Sequence, residues 1–300
     1  SDAQRAAQVG LVGSLLGLWV GPTLAIAATV TLGMTTPATL IWAGPILLTW
    51  LVMPALSRWL SRPLSSPRAR LEPDDVAFLR AVARRTWRFF ETFVGAEDHY
   101  LPPDNFQEDP PVVIAHRTSP TNIGLSLTAN LAAYDLGYIT AGGLLRRTSL
   151  TLESLGRLHR HRGHFYNWYD TRTLEPLPPT YISTVDSGNL SGHLLTLASG
   201  LEELVAAPTL GPQIRAGLVD TLAAWRACTP PAARAPIDQL VSELGVAGPD
   251  AWQAVLARLA AAATLLIAST REPADADALA WARAFEAACM DALGELAAAA

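Results

Sequence analysis

The sequence contains no lysine, so arginine supplies all 22 of its basic residues. Because alanine is also abundant, we attribute this bias to genomic base composition. The net charge of −5 provides no excess of basic residues, which argues against a nucleic-acid partner. The two cysteines, Cys228 and Cys289, lie far apart in alanine-rich stretches, so a disulfide framework is not expected.

Charge is also missing from two long apolar stretches near the start of the chain. No charged residue occurs from Val9 to Met34 or from Leu40 to Leu56. Since about 20 mostly apolar residues cross a bilayer, these stretches predict a transmembrane helical hairpin within residues 1–60. A signal peptide would have a shorter apolar core. A buried soluble hairpin and a hairpin lying in the membrane surface are the remaining alternatives.

The arginines that flank the two stretches predict how the hairpin is oriented. Arg5 precedes the first stretch, the connection carries no charge, and Arg58, Arg62, Arg68 and Arg70 follow the second. Positively charged flanks favour the cytoplasmic side of a membrane. We therefore expect both ends of the hairpin, and the soluble part that follows, to be cytoplasmic, with the hairpin itself in contact with membrane lipid.

The rest of the sequence predicts a linker at residues 61–73 and a helical domain at residues 74–300. The linker is rich in proline, serine and arginine. Residues suited to a first helical turn predict where helices begin, namely at Pro73, at Ser119 or Thr121, near Leu144, and near Ser187 or Asn189. Beyond Leu204, alanine-rich helices alternate with turns. The predicted fold is all-α, with the hairpin followed by part of an (α/α) toroid whose polar and aromatic loops lie at one end.

Four short segments concentrate polar and aromatic side chains: 101–109, 115–124, 163–173 and 183–193. Neither an amphipathic helix nor a core strand requires such mixtures. A sugar site does, because planar polar groups bind hydroxyls and flat aromatic faces stack on sugar rings. Phe165 is expected to fill the mouth of the barrel instead. The residues predicted to bind carbohydrate are Asp104, Asn105, Gln107, Glu108, His116, Arg117, Asn122, Tyr166, Asn167, Trp168, Tyr169, Asp170, Asp186, Asn189 and His193.

The acidic residues of these segments raise the question of catalysis. Glycoside chemistry needs two carboxylates that flank one bond, and Asp104, Glu108, Asp170 and Asp186 are the candidates that spacing offers. Acidic loop residues also cap helices and form turns. Helix capping therefore remains an equal alternative for Asp186, which precedes a predicted helix.

A metal or phosphate site is not expected. His159, His161 and His164 lack the spacing of a closed zinc site, no cysteine lies nearby, and arginines lie between them. The simpler interpretation is that these histidines lie at the C-terminal end of a helix, where they interact favourably with the helix dipole. The glycines of the four segments form no phosphate-binding pattern.

Two longer stretches resemble the middle region of the cyclic β-1,2-glucan synthases, which are large proteins of the bacterial inner membrane. They are FFETFVGAEDHYLPPDNFQEDPPVVIAHRTSPTNIG and RGHFYNWYDTRTLEPLPPTYISTVDSGNLSGHLL, and the specific similarity runs from Phe89 to Leu195. The resemblance implies a membrane-embedded glycosyltransferase that builds linear glucan from UDP-glucose. It also implies a middle α/α-barrel domain that cyclises this glucan by transglycosylation, and a phosphorylase-like domain that trims chain length.

For this chain, the resemblance implies the last two spans of the transferase region and the first part of the cyclising domain. Its partners would be β-1,2-linked glucan and the rest of the same polypeptide, with no cofactor in this segment and UDP-glucose used outside it. The glutamate-bearing motifs expected to be catalytic in the family are absent. No catalytic residue is therefore expected in this segment. If the segment does contain one, Asp170 and Asp186 are the candidates. A membrane-anchored glucan-binding module and a hydrolytic β-1,2-glucanase are the alternatives.

Overall fold

A computed structural model describes residues 19–60, 71–109, 111–246, 248, 251–269 and 276–299. The chain divides into two compact units, Ser1–Arg70 and Leu71–Ala300. Most of the predicted linker lies outside the described residues, as do Arg5, Arg62, Arg68 and Arg70. The orientation of the hairpin therefore stays a prediction.

In its described residues, the first unit contains two apolar helices, α1 (Val20–Thr35) and α2 (Leu40–Leu60), joined by a short 3-10 turn at Pro37–Thr39. Both helices line a cavity of about 410 Å³. Large apolar side chains such as Trp42 remain exposed. Pro45 and Pro54 lie inside α2, as is tolerated in membrane helices.

Within the described residues, one helical segment, Pro37–Ser57, is long and apolar enough to cross a membrane by length and composition. Val20–Thr35 is shorter than a full span. Residues 9–18 of the predicted first span lie outside the described part of the chain. Two complete spans therefore remain a prediction.

The second unit is mostly helical. Its helices are α3 (Pro73–Phe93), α4 (Pro120–Leu136), α5 (Ala141–Arg157), α6 (Thr184–Leu204), α7 (Gln213–Cys228), α8 (Ala235–Val246), α9 (Trp252–Ser269) and α10 (Ala276–Ala299). Three antiparallel strand pairs connect them: β1 (Phe106–Gln107) with β2 (Val113–Ile114), β3 (Arg117–Thr118) with β6 (Tyr169–Asp170), and β4 (Arg160–His161) with β5 (His164–Phe165). The all-α class is confirmed, whereas a closed toroid stays a prediction.

Local capping chemistry explains where these helices begin. Helix α3 begins at Pro73 as predicted, and Glu72 and Asp75 form a capping box at its start. Ser119 caps α4 by accepting a hydrogen bond from the Asn122 amide. Helix α6 begins earlier than predicted, because Ser183 is its cap and accepts a hydrogen bond from the Asp186 amide at 3.1 Å. Asp186, for which capping was one of two alternatives, is therefore not the N-cap residue of α6.

Among the described residues, three apolar cores hold the helices of the second unit. Helices α7, α8, α9 and α10 enclose one core around Leu222, Leu256 and Phe285. Helices α4, α5 and α6 enclose another with Leu101 and the strand residue Tyr169. Helix α3 packs against the end of α4 in the third, around Trp87, Phe90 and Tyr138. The end of α4 meets α7 at Gly137 and Gly217, where the two backbones touch: a Cβ on Gly217 would lie 1.9 Å from the Gly137 carbonyl oxygen.

Arg84 is a buried cation at the junction of these helices, with 1% of its surface exposed. Its guanidinium pairs with Glu91 at 3.1 Å and donates to the Thr221 hydroxyl at 2.8 Å. The guanidinium carbon also lies 4.8 Å from the Trp281 ring centroid and 5.3 Å from that of Tyr138. A single charged side chain thus joins α3, α7, α10 and the α4–α5 connection.

Candidate functional site

Helices α4 and α6 pack closely against each other, and this contact brings the polar segments together. A Cβ on Gly124 would lie 2.8 Å from the His193 ring, so only glycine permits this approach. The Thr128 hydroxyl lies 3.1 Å from His193 Nδ1. His193, predicted to bind carbohydrate, therefore takes part in the packing of the two helices.

The β3–β6 strand pair explains which aromatic side chains of the 163–173 segment are buried. Arg117 lies opposite Asp170, and Thr118 lies opposite Tyr169. Because side chains alternate along a strand, Thr118 and Tyr169 share the inner face and are fully buried. Trp168 and Arg117 occupy the outer face, where the Arg117 guanidinium carbon lies 4.8 Å from the Trp168 ring centroid.

Tyr169 is a structural residue. It has no exposed surface, and its hydroxyl donates to the His159 carbonyl and accepts from the Tyr166 amide, both at 2.7 Å. Burial raises the pKa of its phenol. The prediction that Tyr169 binds carbohydrate by stacking is therefore wrong, because neither face of its ring is accessible. Tyr166 and Phe165 are partly buried against the same core, so Phe165 packs as a core side chain, whereas its place in the mouth of a barrel stays a prediction.

Asp104 connects the first two polar segments. One of its carboxylate oxygens accepts from Arg117 Nη2 at 2.9 Å and from Arg117 Nε at 3.2 Å. The other oxygen accepts from the side-chain amide of Asn122 at 3.2 Å. Such two-point pairing fixes the plane of the guanidinium. Asp104 thereby holds Arg117 over the ring of Trp168.

Asn167 connects the third segment to the fourth from a buried position, with 6% of its surface exposed. In the amide orientation that satisfies every neighbour, it donates to Asp186 Oδ2 at 2.9 Å. Its oxygen then accepts from Trp168 Nε1 and from the Tyr181 hydroxyl, both at 2.7 Å. Trp168 is therefore fixed by Asn167 at its indole nitrogen and by Arg117 at its face.

Asp186 lies between the first turns of α4 and α6. Burial alone would raise the pKa of its carboxyl, but hydrogen bonds from the Ser183, Thr121 and Ser119 hydroxyls and from the Thr121 backbone amide outweigh burial and lower it. An anion at helix N-termini is favourable. The carboxylate therefore joins two helix starts, and a group held ionised in this way is poorly suited to donate a proton.

We predict that Asp186→Asn destabilises the chain by about 1–2 kcal/mol at neutral pH, because hydrogen bonds to a charged acceptor are lost. Because folding lowers the pKa of Asp186, its carboxylate stabilises the folded chain at every pH above its pKa in the unfolded chain, which is about 4. This stabilisation is lost as the pH falls through the lower pKa of the folded chain. The difference between parent and variant should therefore shrink in acid. Denaturant unfolding of the chain in detergent, repeated at several pH values, checks this expectation. The matched variant Asp74→Asn, at an exposed position, should show no such trend.

Asp170, the other candidate acid, forms a turn. Its Oδ1 accepts from the backbone amides of Arg172 and Thr173, both at 2.9 Å. Burial works against ionisation, but these backbone hydrogen bonds prevail and lower the pKa of Asp170. The carboxylate shapes the turn that follows β6, and it shares no hydrogen bond with Asp186 among the contacts described.

The remaining predicted residues fall into two groups. Asn105 is exposed and donates to Asp104, and Asn189 donates to the Thr121 hydroxyl at 3.1 Å, so both lie at the site. Gln107 binds carbonyl groups of its own loop instead. Glu108 lines a different cavity of about 500 Å³, together with Phe89, Phe93 and Phe106.

The three histidines of the HRHRGH stretch do not lie on a helix as expected, because α5 ends at Arg157. His161 and His164 lie opposite each other in the exposed β4–β5 hairpin, and His159 Nε2 lies 3.6 Å from Glu175. In the described part of the chain, no group of three or more His, Cys, Asp or Glu side chains is arranged to hold a metal ion.

The described residues thus define a helical protein with a polar and aromatic site at the adjoining ends of two helices. Over 193 residues, 64% of its length, the chain is 39% identical to the cyclic β-(1,2)-glucan synthase NdvB of Rhizobium meliloti strain 1021. The matched stretch covers 7% of that protein, so the chain spans a small part of its relative's length. The resemblance predicted from the sequence is confirmed. No protein-family model matches the chain.

Proposed function

We propose that this chain is part of a cyclic β-1,2-glucan synthase and that its polar and aromatic site binds β-1,2-linked glucan during cyclisation. The observation that carries the proposal is the fixed, partly exposed indole of Trp168 beside the planar polar groups of Arg117 and Asp104. The similarity to NdvB supports the choice of glucan.

The contacts suggest how a glucose ring binds. Arg117 covers part of one face of Trp168, so the ring stacks on the indole surface that Arg117 leaves free. The exposed side chains of Arg117, Asn105 and Asn189 bind its hydroxyls, while the largely buried Asp104 holds Arg117 and Asn122 in place. Asn167 and Asp186 act indirectly, because their polar atoms already bind protein groups.

In the whole protein, a transferase region outside this segment uses UDP-glucose, and the cyclising reaction transfers the glucan chain onto itself. The transglycosylating carboxylates then lie outside these residues. The engagement of Asp170 and Asp186 in structural hydrogen bonds supports this assignment. The apolar hairpin contacts the lipid of the bacterial inner membrane, and the second unit is cytoplasmic.

We predict that Trp168→Ala weakens binding of linear β-1,2-glucan by about three- to tenfold, since a lost aromatic contact costs about 1 kcal/mol. Calorimetric titration of the intact protein in detergent measures this loss. Trp168→Phe should retain part of the affinity because it keeps a flat ring. The control Phe78→Ala, at a 67% exposed position on α3, should bind normally. Unchanged affinity in a folded Trp168→Ala protein would contradict the proposed site.

Product analysis separates the proposal from its alternatives. Incubation of the intact protein with linear β-1,2-glucan should give cyclic glucan. Short linear products would identify a hydrolytic glucanase instead. Binding without any conversion would identify a membrane-anchored binding module.

A further inference from the structure

Asp98 is a buried acid directly behind the proposed glucan site. It belongs to a short 3-10 turn, Ala96–Asp98, and 6% of its surface is exposed. Its Oδ1 accepts from the Thr171 hydroxyl and contacts His116 Nδ1 at 2.8 Å. His116 was predicted to bind carbohydrate, but this ring nitrogen is engaged by Asp98.

The two partners of Asp98 come from the two strands that carry the site. His116 precedes β3 and Thr171 follows β6, and the Thr171 amide donates to the His116 carbonyl at 3.1 Å. They therefore extend the pairing of Arg117 with Asp170 by one position. Asp98 binds this additional pair from the inner face, while Arg117 and Trp168 lie on the outer face.

The loop that carries Asp98 is itself held in place. His99 and Tyr100 adopt positive φ angles of 53° and 58°, which are unfavourable for side chains of this size and persist when the surroundings determine them. The surroundings here are helix α5 and the turn after β6. Ser154 and Thr151 donate to the carbonyls of His99 and Tyr100, and His99 Nε2 lies 3.0 Å from the Arg172 carbonyl oxygen.

We infer that Asp98 is a positioning residue for the glucan site. By binding His116 and Thr171, it fixes the strands so that Arg117 and Trp168 face the ligand together. Burying a carboxylate is costly unless its hydrogen bonds are made, and here both of the observed partners directly adjoin the strands that carry the site. The inference rests on the proposed function, because it assumes that Trp168 contacts the glucan.

A double-mutant cycle in the intact protein tests the inference. Asp98→Ala should weaken binding of linear β-1,2-glucan by about fivefold when Trp168 is present, and by less than about twofold when Trp168 is alanine. A role limited to stability would lower the melting temperature and leave the affinity of the folded protein unchanged. The control Asp109→Ala, at an exposed position of the neighbouring loop, should not change affinity.

A milder variant keeps the test valid if Asp98→Ala does not fold. Thr171→Val preserves shape and removes only the hydroxyl, and it should weaken binding by about two- to threefold with the same dependence on Trp168. Equal losses in both backgrounds, or no loss in a folded variant, would overturn the positioning role. Unchanged affinity for Trp168→Ala alone would overturn the proposed site, and the inference with it.

Discussion

Gly217→Ala is expected to destabilise the second unit by about 3 kcal/mol or more, because overpacking a rigid contact forces the backbone to move. The added Cβ would lie 1.9 Å from the Gly137 carbonyl oxygen and 2.3 Å from its carbon. The Gly137 backbone is itself closely packed on another side, because a Cβ at that position would lie 1.9 Å from the Gln213 carbonyl oxygen. Its φ of +81° is also a conformation that favours glycine. Thermal unfolding of the chain in detergent, with hydrogen exchange of α4 and α7, measures the loss.

Gly156→Ala is the matched control for this prediction. Gly156 lies in α5, and a Cβ there would meet nothing within 4 Å. Gly156 is the penultimate residue of α5, where part of the helix preference for alanine over glycine still applies, so this change should stabilise the chain by up to about 0.5 kcal/mol. Equal effects of the two substitutions would show that the contact between α4 and α7 is not closely packed in solution.

Arg84→Met is expected to cost about 3 kcal/mol, because it breaks the hydrogen-bond and ion-pair network of a fully buried guanidinium. The variant would remove the Arg84 ion pair from the partly exposed Glu91 and leave the Thr221 hydroxyl without this donor. It would also remove the cation from the rings of Trp281 and Tyr138. Methionine fills much of the same volume, so the loss should report on the polar contacts more than on an empty cavity.

The next residue along the chain provides the control for Arg84. Arg85 is exposed, so Arg85→Met should change the free energy of unfolding by less than about 0.5 kcal/mol. Both variants remove one positive charge, and the comparison therefore cancels the change in net charge. Similar unfolding midpoints in denaturant for the two variants would contradict the structural role of Arg84.

Helix starts were predictable where one residue alone suits the cap. Pro73 after Glu72 leaves little choice, and the start of α3 was predicted correctly. For α4 the sequence left Ser119 and Thr121 open, and the structure has Ser119 as the cap. The start of α6 was not predicted correctly, because Ser183, Asp186 and Ser187 all suit a cap and the sequence does not show that Ser183 takes this role. The pairing of helices in the alanine-rich region lacks a local signal altogether.

The residue types of the site were predictable, but their roles were not. Asn167 and Asp186 have the chemistry of sugar ligands, yet Tyr181, Trp168 and Thr121 already occupy their polar atoms. A sequence does not show which hydrogen-bonding groups the fold itself uses. Asp98 and Thr171 were missed for the same reason, because each acquires its role only when distant segments meet.

Trp168 and Tyr169 are neighbouring aromatic residues with nearly the same chemical signal, and the structure gives them opposite roles. A strand of two residues is too short for its alternation to be recognised in a sequence. Strand pairing with Arg117–Thr118 decides which ring is buried. This information lies in the other strand, whose paired residues are 51 and 53 positions earlier in the chain.

The register of this strand pair limits how the chain can vary in length. A deletion or insertion of one residue between Phe165 and Trp168 that shifted the strand would exchange its two faces. The Tyr169 phenol would then enter solvent and the Trp168 indole would enter the core. We therefore expect homologous chains to differ in length here by even numbers of residues, or to place odd changes in the turn after Asp170, where Arg172 and Thr173 are exposed.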